Sequence, residues 1–146
     1  MTTHAAFIDA VPPKSGTGIG LGIVCVAQDG EHRTQSHRIG YGDAQNAVLM
    51  GIALVLQDLE RSARPGDAIL IASPHTCSHR DRSEPMKATI STTIDEIIQR
   101  LITAGVTVSL DKIGPCDTAG ATTATRLARE CEQNTDTAPE IHRRIM

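Results

Sequence analysis

The segment DAQNAVLMGIALVLQDL, residues 43–59, constrains the fold of this chain more than any other part of the sequence. Its apolar residues recur at the spacing of a helix, and Asp43 stands at the N-cap position. Apolar side chains cover nearly every face of this helix, which is typical of a helix packed between other elements. The sequence therefore predicts a sandwiched helix inside a folded core.

Three segments before this helix have the composition of β-strands. Residues 5–10 form an apolar run, residues 16–26 pass from glycines into β-branched residues, and residues 32–39 alternate weakly. The alternating glycines lack the spacing of a phosphate-binding loop and indicate close backbone packing instead. Asp29-Gly30 is a hairpin signal between the second and third segments. We expect these segments to form an antiparallel meander of three strands.

Strands and helices alternate in the rest of the chain. Residues 68–73 are continuously apolar, as in a strand buried on both faces, and residues 106–110 form a shorter alternating run. Residues 121–131 predict a last short helix.

A further helix lies between those two strands. Thr93 and Glu96 have the spacing of a capping box, and an apolar stripe follows them as far as Gly105. These signals predict a helix that begins at Thr93. Residues 75–87, which are polar and irregular, are then expected to form a loop.

The predicted order is β-β-β-α-β-α-β-α. Three meander strands followed by helix-linked strands give an α/β fold, with a mixed five-stranded sheet and helices on its faces. A chain of 146 residues fits one domain, which we place at residues 1–132. Residues 133–146 are polar and are expected to form a loose C-terminal tail.

Charge and aromatic content exclude some classes of function. The chain has 14 Lys and Arg against 17 Asp and Glu, and its net charge of −3 gives no overall attraction to nucleic acid or acidic membranes. One Phe, one Tyr and no Trp leave few aromatic faces on which bases could stack. The sequence has no signal-peptide pattern and no run of about 20 apolar residues, so we expect a cytoplasmic protein without a membrane partner.

The cysteines offer one candidate metal site. The four cysteines are Cys25, Cys77, Cys116 and Cys131. They form no C-x-x-C pair, and without a secretory signal we expect reduced thiols. His75, Cys77 and His79 are zinc-type ligands that would point the same way on an extended segment, but a fourth ligand is not evident. A solvated loop explains this segment better than a metal site does.

The order of elements and the motifs within them resemble the type 1 ribonuclease H family, from Ala5 to about Glu132. FIDA and the glycines after it look like the family's first strand, its Asp and the turn into the second strand. NAVLMGIALVLQDL is similar to the first long helix, which in the family commonly opens Asn-x-x-Ala-Glu-Leu. ILIASPH looks like the strand that the family ends in Asp-Ser. VTVSLDKIGPCDTAGATTATRLARE resembles the last strand, loop and helix, where the family has Ala-Asp-x-Leu-Ala.

The resemblance implies a nuclease that cuts the RNA strand of an RNA/DNA hybrid with two divalent ions held by four carboxylates. Mg²⁺ and Mn²⁺ prefer oxygen ligands, and two such ions close together require several negative charges. The first acid position falls on Asp9, but the second falls on Val48, the third on Ser73 and the fourth on Thr125. Because one carboxylate in four remains, we expect no catalysis of the family type.

Other residues bear on whether a metal ion or a nucleic acid could still bind. Asp67 precedes its strand and lies at the opposite end from Ser73, so it cannot replace a missing carboxylate. Asp117 lies in the loop that corresponds to the family's flexible loop and could join Asp9 in a single-ion site. A small basic cluster lies where some family members grip the hybrid, although exposed mixed-charge loops of this kind are common. It consists of Arg80, Arg82 and Lys87.

These observations favour a catalytically degenerate ribonuclease H-like domain that binds nucleic acid (an RNA/DNA hybrid or RNA) or a protein partner without hydrolysis. Two alternatives stay open. One is a divergent ribonuclease that cuts hybrids with Mg²⁺ or Mn²⁺ through Asp9 and Asp117. The other is a structural subunit that forms a homodimer. Only the nuclease would need a cofactor, namely Mg²⁺ or Mn²⁺.

Overall fold

A computed structural model of the chain describes residues 2–11, 19–26, 31–39, 44–74, 85–112, 119–130, 141 and 143. The strands in these ranges are β1 (Thr3–Val11), β2 (Ile19–Val26), β3 (His32–Ile39), β4 (Ala68–Ser73) and β5 (Thr107–Lys112). The helices are α1 (Ala44–Glu60), α2 (Pro85–Thr103) and α3 (Ala119–Glu130). This is the element order that the sequence predicts.

The strands form one five-stranded sheet in the order β3-β2-β1-β4-β5. β1 pairs antiparallel with β2, and β2 pairs antiparallel with β3, so the first three strands make the expected meander. β4 pairs parallel with β1, and β5 pairs parallel with β4. The predicted mixed α/β sheet is therefore confirmed, and β3 and β5 form its edges.

The helix α1 is the sandwiched helix that its sequence predicts. All its residues from Asn46 to Leu56 are buried. One side faces the sheet, where a Cβ at Gly51 would lie 3.0 Å from Ile8 Cγ2 and 3.2 Å from Leu21 Cδ1. The other side packs against α2. α3 covers the opposite face of the sheet, because it lies against Gly22 and successive strand residues face opposite sides.

The core is aliphatic, as a sequence with almost no aromatic residues requires. The largest fully buried side chains are Ile8, Leu21, Ile23, Ile39, Leu49, Met50, Ile52, Leu54, Leu56, Ile69, Ile71 and Ile90. Ile141 is 3% exposed and belongs to the same cluster. The domain boundary at residue 132 remains a prediction, but this residue beyond it packs with the domain. Burial of such a side chain contributes about 1.5–3 kcal/mol.

The helix α2 begins at Pro85, well before the capping-box signal. The predicted start at Thr93 is wrong, because Thr93 lies inside the helix and its Oγ1 donates to Thr89 O at 3.2 Å. Proline has a φ angle suited to the first helical turn. Ile90 and Ile94 are both fully buried and extend the apolar stripe towards Pro85. Burial of this stripe outweighs the local capping signal.

None of the described helices is long and apolar enough to cross a membrane.

Candidate functional site at the carboxyl end of β1

Two of the four positions suggested by the resemblance are in direct contact. Asp9 lies in β1 and Thr125 in α3, and the Thr125 hydroxyl donates a hydrogen bond to Asp9 Oδ2 at 2.5 Å. The other carboxylate oxygen, Oδ1, accepts from the backbone N–H of Ala10 at 2.8 Å. Asp9 is 4% exposed. Because a buried polar group without hydrogen-bond partners is costly, these two donors help to stabilise the Asp9 side chain in the fold.

The backbone of α3 lies directly on β2 beside this hydrogen bond. A Cβ on Gly22 would overlap the carbonyl oxygen of Ala124 and lie 2.7 Å from Ala128 N. The close backbone packing that the glycine pattern indicates is thus found at Gly22. On the far side of Gly22, Ser36 Oγ of β3 donates to Leu127 O at 2.9 Å.

Asp9, Gly22 and Ser36 are partners across three neighbouring strands. α3 is therefore held to the sheet along one row of residues, with a hydrogen bond from the helix to Asp9 at one end and a hydrogen bond from Ser36 to the helix at the other. The sequence marks Asp9 and Thr125 as candidate site residues, but it does not mark Ser36. A serine in a polar edge strand carries no signal of such a contact.

Ser73 lies at the same end of the sheet. It is the last residue of β4, which runs parallel to β1 with Ala72 opposite Phe7. The next residue along each strand is Ser73 in β4 and Ile8 in β1, so Ser73 is close to Asp9 in the sheet. Its side chain is fully buried. Asp67 precedes β4 and lies at the other end, as the sequence predicts.

Val48 lies level with Asp9 along β1, on the face of the sheet that α1 covers. Leu59 near the end of α1 lines a cavity together with Ala5, whereas Gly51 lies against Ile8. α1 therefore runs antiparallel to β1. Val48 is one turn before Gly51, about 4.5 Å further along the helix axis, and is fully buried. Asp9 and Thr125 therefore lie on the α3 face near the carboxyl end of β1, whereas Val48 and Ser73 lie near that end on the α1 face.

The donors at these positions do not fit two bound Mg²⁺ or Mn²⁺ ions. Asp9 supplies one carboxylate, Ser73 and Thr125 supply neutral hydroxyls, and Val48 supplies no donor. Two dications held close together repel unless several carboxylates offset their charge. In the ranges that the structure describes, no group of three or more His, Cys, Asp or Glu side chains could hold a metal ion.

The remaining sequence candidates lie outside the described residues. They are Asp117, His75, Cys77, His79, Arg80 and Arg82. The backbone of Lys87 is part of α2 rather than of the predicted loop, and its side chain is outside the described set. The single-ion site, the zinc-type site and the basic cluster therefore stay predictions.

Asp67 anchors the start of the chain at the opposite end of the sheet. Its Oδ1 accepts from the backbone N–H of Thr2 at 3.0 Å, and its Oδ2 accepts from that of Arg64 at 2.9 Å. His4 Nε2 lies 3.3 Å from Oδ2. The hydrogen bonds from Arg64 and then Thr2, together with His4, lower the pKa of Asp67 from 3.8 to about 2. Such a carboxylate has its acceptors occupied by the fold and is a structural group.

A cavity of about 250 Å³ lies beside this anchor. Its walls are formed by His4, Ala5, Cys25, Val26, Glu31, Arg33, Leu59 and Ser62. Cys25 is a free thiol. Burial and the charge of Asp58 raise the pKa of Cys25 to about 11, against the opposing effect of Arg33. Because the thiolate is the nucleophile and metal ligand, a raised pKa makes Cys25 a poor candidate for nucleophilic or metal-binding chemistry at neutral pH.

No protein-family model matches the sequence, and no curated protein matches it. The fold of the chain is, however, similar to that of several solved structures. Ribonuclease H1 from the halophilic archaeon Halobacterium salinarum superposes with a TM-score of 0.68 at 16% identity, over 91% of this chain and 99% of that chain. The N-terminal ribonuclease H domain of a Mycobacterium tuberculosis protein gives 0.68 at 12% identity over the whole of both chains. Ribonuclease H1 LC11 in complex with an RNA/DNA hybrid gives 0.65 at 15% identity, over 83% of this chain and 92% of that chain.

These similarities extend over most of each chain, and their low identities make them a statement about architecture. The shared architecture agrees with the strand order and with the position of α1 and α3 on opposite faces of the sheet. The chain therefore has the ribonuclease H fold.

Proposed function

We propose that this chain is a ribonuclease H-like domain that binds an RNA/DNA hybrid without cutting it. The observation that carries the proposal is the hydrogen bond from Thr125 to Asp9. By resemblance, these are positions where the family has two carboxylates that hold metal ions. A hydroxyl that donates to Asp9 occupies a lone pair that an ion would otherwise use. Asp9 then serves to dock α3 on the sheet.

The burial of Val48 and Ser73 supports the same proposal. Both side chains are fully buried and uncharged at positions where the resemblance implies carboxylates. Carboxylates gathered in such a place would repel one another unless cations were bound. Uncharged side chains remove that repulsion, so this end of the sheet is stable without any ion.

The choice of a hybrid as ligand is supported by one of the similar structures, in which ribonuclease H1 LC11 is in complex with an RNA/DNA hybrid. The scarcity of aromatic residues in this chain argues against binding by base stacking. A duplex presents its phosphates outward and can be bound through them alone, without stacking.

The proposal is tested by measuring binding and cleavage on the same labelled hybrid. We expect saturable binding by fluorescence anisotropy at about 50 mM salt, where phosphate contacts are strong. We expect no cleavage on a denaturing gel with either Mg²⁺ or Mn²⁺. Cleavage that disappears in Asp9→Asn would overturn the proposal in favour of the divergent ribonuclease. If the hybrid does not bind, the proposed binding function is wrong as well.

A restoration experiment tests the chemical argument directly. In a triple variant Val48→Glu, Ser73→Asp and Thr125→Asp, all four acid positions are filled. We expect it to be less stable than wild type without metal and to be stabilised by Mn²⁺ in thermal unfolding. The matched control is Val48→Gln, Ser73→Asn and Thr125→Asn, which has similar shapes but no added charge and should not respond. Equal Mn²⁺ stabilisation of the wild-type chain would contradict the proposal.

A further inference from the structure

The edge strand β3 and the helix α3 form one continuous surface on the face of the sheet opposite α1. Ser36 Oγ donates to Leu127 O, which ties the two elements together. Since alternate strand residues share a face, His32 and Arg38 lie on the same side of β3 as Ser36. Arg38 is two residues along the strand, about 7 Å from Ser36.

The exposed side of α3 is basic. Arg126 and Arg129 are both exposed and lie three residues apart, so they project from the same side of the helix. We call His32, Arg38, Arg126 and Arg129 the basic face. The described side chains of β3 and α3 include no Asp or Glu. This concentration of positive charge occurs in a chain whose net charge is −3.

Among the described side chains of β3 and α3, none on this side is an exposed apolar anchor of the kind that protein interfaces use. The exposed side chains described on this side of β3 and α3 are arginine, histidine and threonine, whereas protein partners usually insert aromatic or aliphatic side chains into apolar pockets. Ile102, the exposed large apolar residue found among the described positions, lies on α2, which packs beyond α1 on the other side of the sheet. A surface that depends on charge alone suits a ligand with regularly repeated anions, as a phosphodiester backbone has.

The basic face also begins at the site described above. Arg126 follows Thr125, the residue that donates to Asp9. A nucleic acid that passes the carboxyl end of β1 would therefore reach Arg126 first and then Arg129, about 4.5 Å further along the helix axis.

We propose that the basic face binds the phosphate backbone of the nucleic acid as it leaves the Asp9 site, so that α3 and β3 extend the binding surface across the outer side of the sheet. This inference rests on the proposed function, because it requires that the chain binds a nucleic acid. The contacts are with phosphates only, and binding through this face is independent of base sequence.

The test compares a double variant, Arg126→Gln with Arg129→Gln, with wild type over a salt series, using a labelled RNA/DNA hybrid. Glutamine keeps a good helix former and removes the charge. The matched control is Arg61→Gln with Arg64→Gln, which removes two exposed arginines near the end of α1. Each phosphate contact makes the slope of log K against log salt more negative by about 0.9. We therefore expect the slope of the double variant to be less negative than that of wild type by about two. Its affinity at about 0.1 M salt should fall on the order of tenfold, whereas the control should change much less.

The outcomes separate this inference from the proposed function. If wild type binds the hybrid and the double variant has the same slope and affinity, the inference is wrong while the proposed function stands. If wild type fails to bind, the proposed function fails first. Loss of poly-glutamate binding in the double variant with unchanged hybrid binding would instead assign the face to an acidic protein. Arg126→Lys with Arg129→Lys keeps the charge, and it should retain the wild-type slope if phosphate contacts are responsible.

Discussion

Gly22 of β2 lies against the backbone of Ala124 in α3, so that strand and helix meet with no side chain between them. This contact lies between the Thr125–Asp9 and Ser36–Leu127 hydrogen bonds, and it sets how closely α3 approaches the sheet. Both hydrogen bonds require that approach. The glycine therefore determines the geometry of the Asp9 site as well as the packing of the helix.

Gly22→Ala is expected to destabilise the protein by about 1–3 kcal/mol or more, because the added methyl meets backbone atoms that cannot rotate away. Urea unfolding measures the loss. Relative to wild type, the substitution should also accelerate amide hydrogen exchange more in α3 than in α1, since α3 is the element that must move. Protection of α3 equal to that of wild type would contradict this account.

Gly51→Ala is the matched control for that variant. It adds the same methyl group in α1, but the nearest atoms are side-chain methyls of Ile8 and Leu21 at 3.0 and 3.2 Å. These side chains can shift, and alanine favours a helix over glycine by about 1 kcal/mol. We expect a smaller loss of stability than in Gly22→Ala and no selective effect on α3.

The Asp67 anchor predicts a pH dependence of stability. Its pKa is lowered to about 2 in the folded protein, below the value of about 3.9 in an unfolded chain. A group with a lowered pKa stabilises the folded state above its unfolded pKa and loses that contribution as the pH falls through its folded pKa. The difference in unfolding free energy between wild type and Asp67→Asn should therefore be constant above about pH 5 and shrink between pH 4 and 2. Asp95→Asn on α2 controls for the change in net charge.

Cys25 is expected to react slowly with alkylating reagents. Its pKa of about 11 leaves few thiolates at pH 8, and the rate should be on the order of a hundredfold below that of free cysteine. Iodoacetamide labelling followed by mass spectrometry measures this rate in a variant with the other three cysteines changed to serine. Since the charge of Asp58 raises the pKa of Cys25, Asp58→Asn should react faster. An unchanged rate in that variant would show that burial alone is responsible.

The fold could be predicted from the sequence because its signals are periodic and agree with one another. The all-round apolar character of α1 requires two packed sides, and these are the sheet and α2. The continuous apolar run of residues 68–73 is the strand β4, buried between β1 and β5. By contrast, the capping signal at Thr93 predicts the start of α2 too late, because the burial of Ile90 extends the helix back to Pro85.

The site could be predicted only in part. The resemblance and the residue types at Val48, Ser73 and Thr125 together predict that three of the family's four carboxylates are replaced. They do not show what the remaining one does. The bond between Asp9 and Thr125 joins residues 116 positions apart, and its length depends on how closely α3 approaches Gly22. Contacts of this kind are set by backbone packing and leave no periodic pattern in the sequence.

Thr125→Val tests whether Asp9 has become a structural group. The substitution keeps the shape of the side chain and removes the hydroxyl that donates to Asp9 Oδ2. Because hydrogen bonds to a charged group contribute about 1.5–3 kcal/mol, we expect a loss of that order in the free energy of unfolding. Thr92→Val, on the exposed side of α2, should change it by less than about 0.5 kcal/mol. In a double-mutant cycle with Asp9→Ala, the two changes should be strongly non-additive, since each removes the same bond. Additive effects would mean that Asp9 does not depend on Thr125, and its carboxylate would again be a candidate metal ligand.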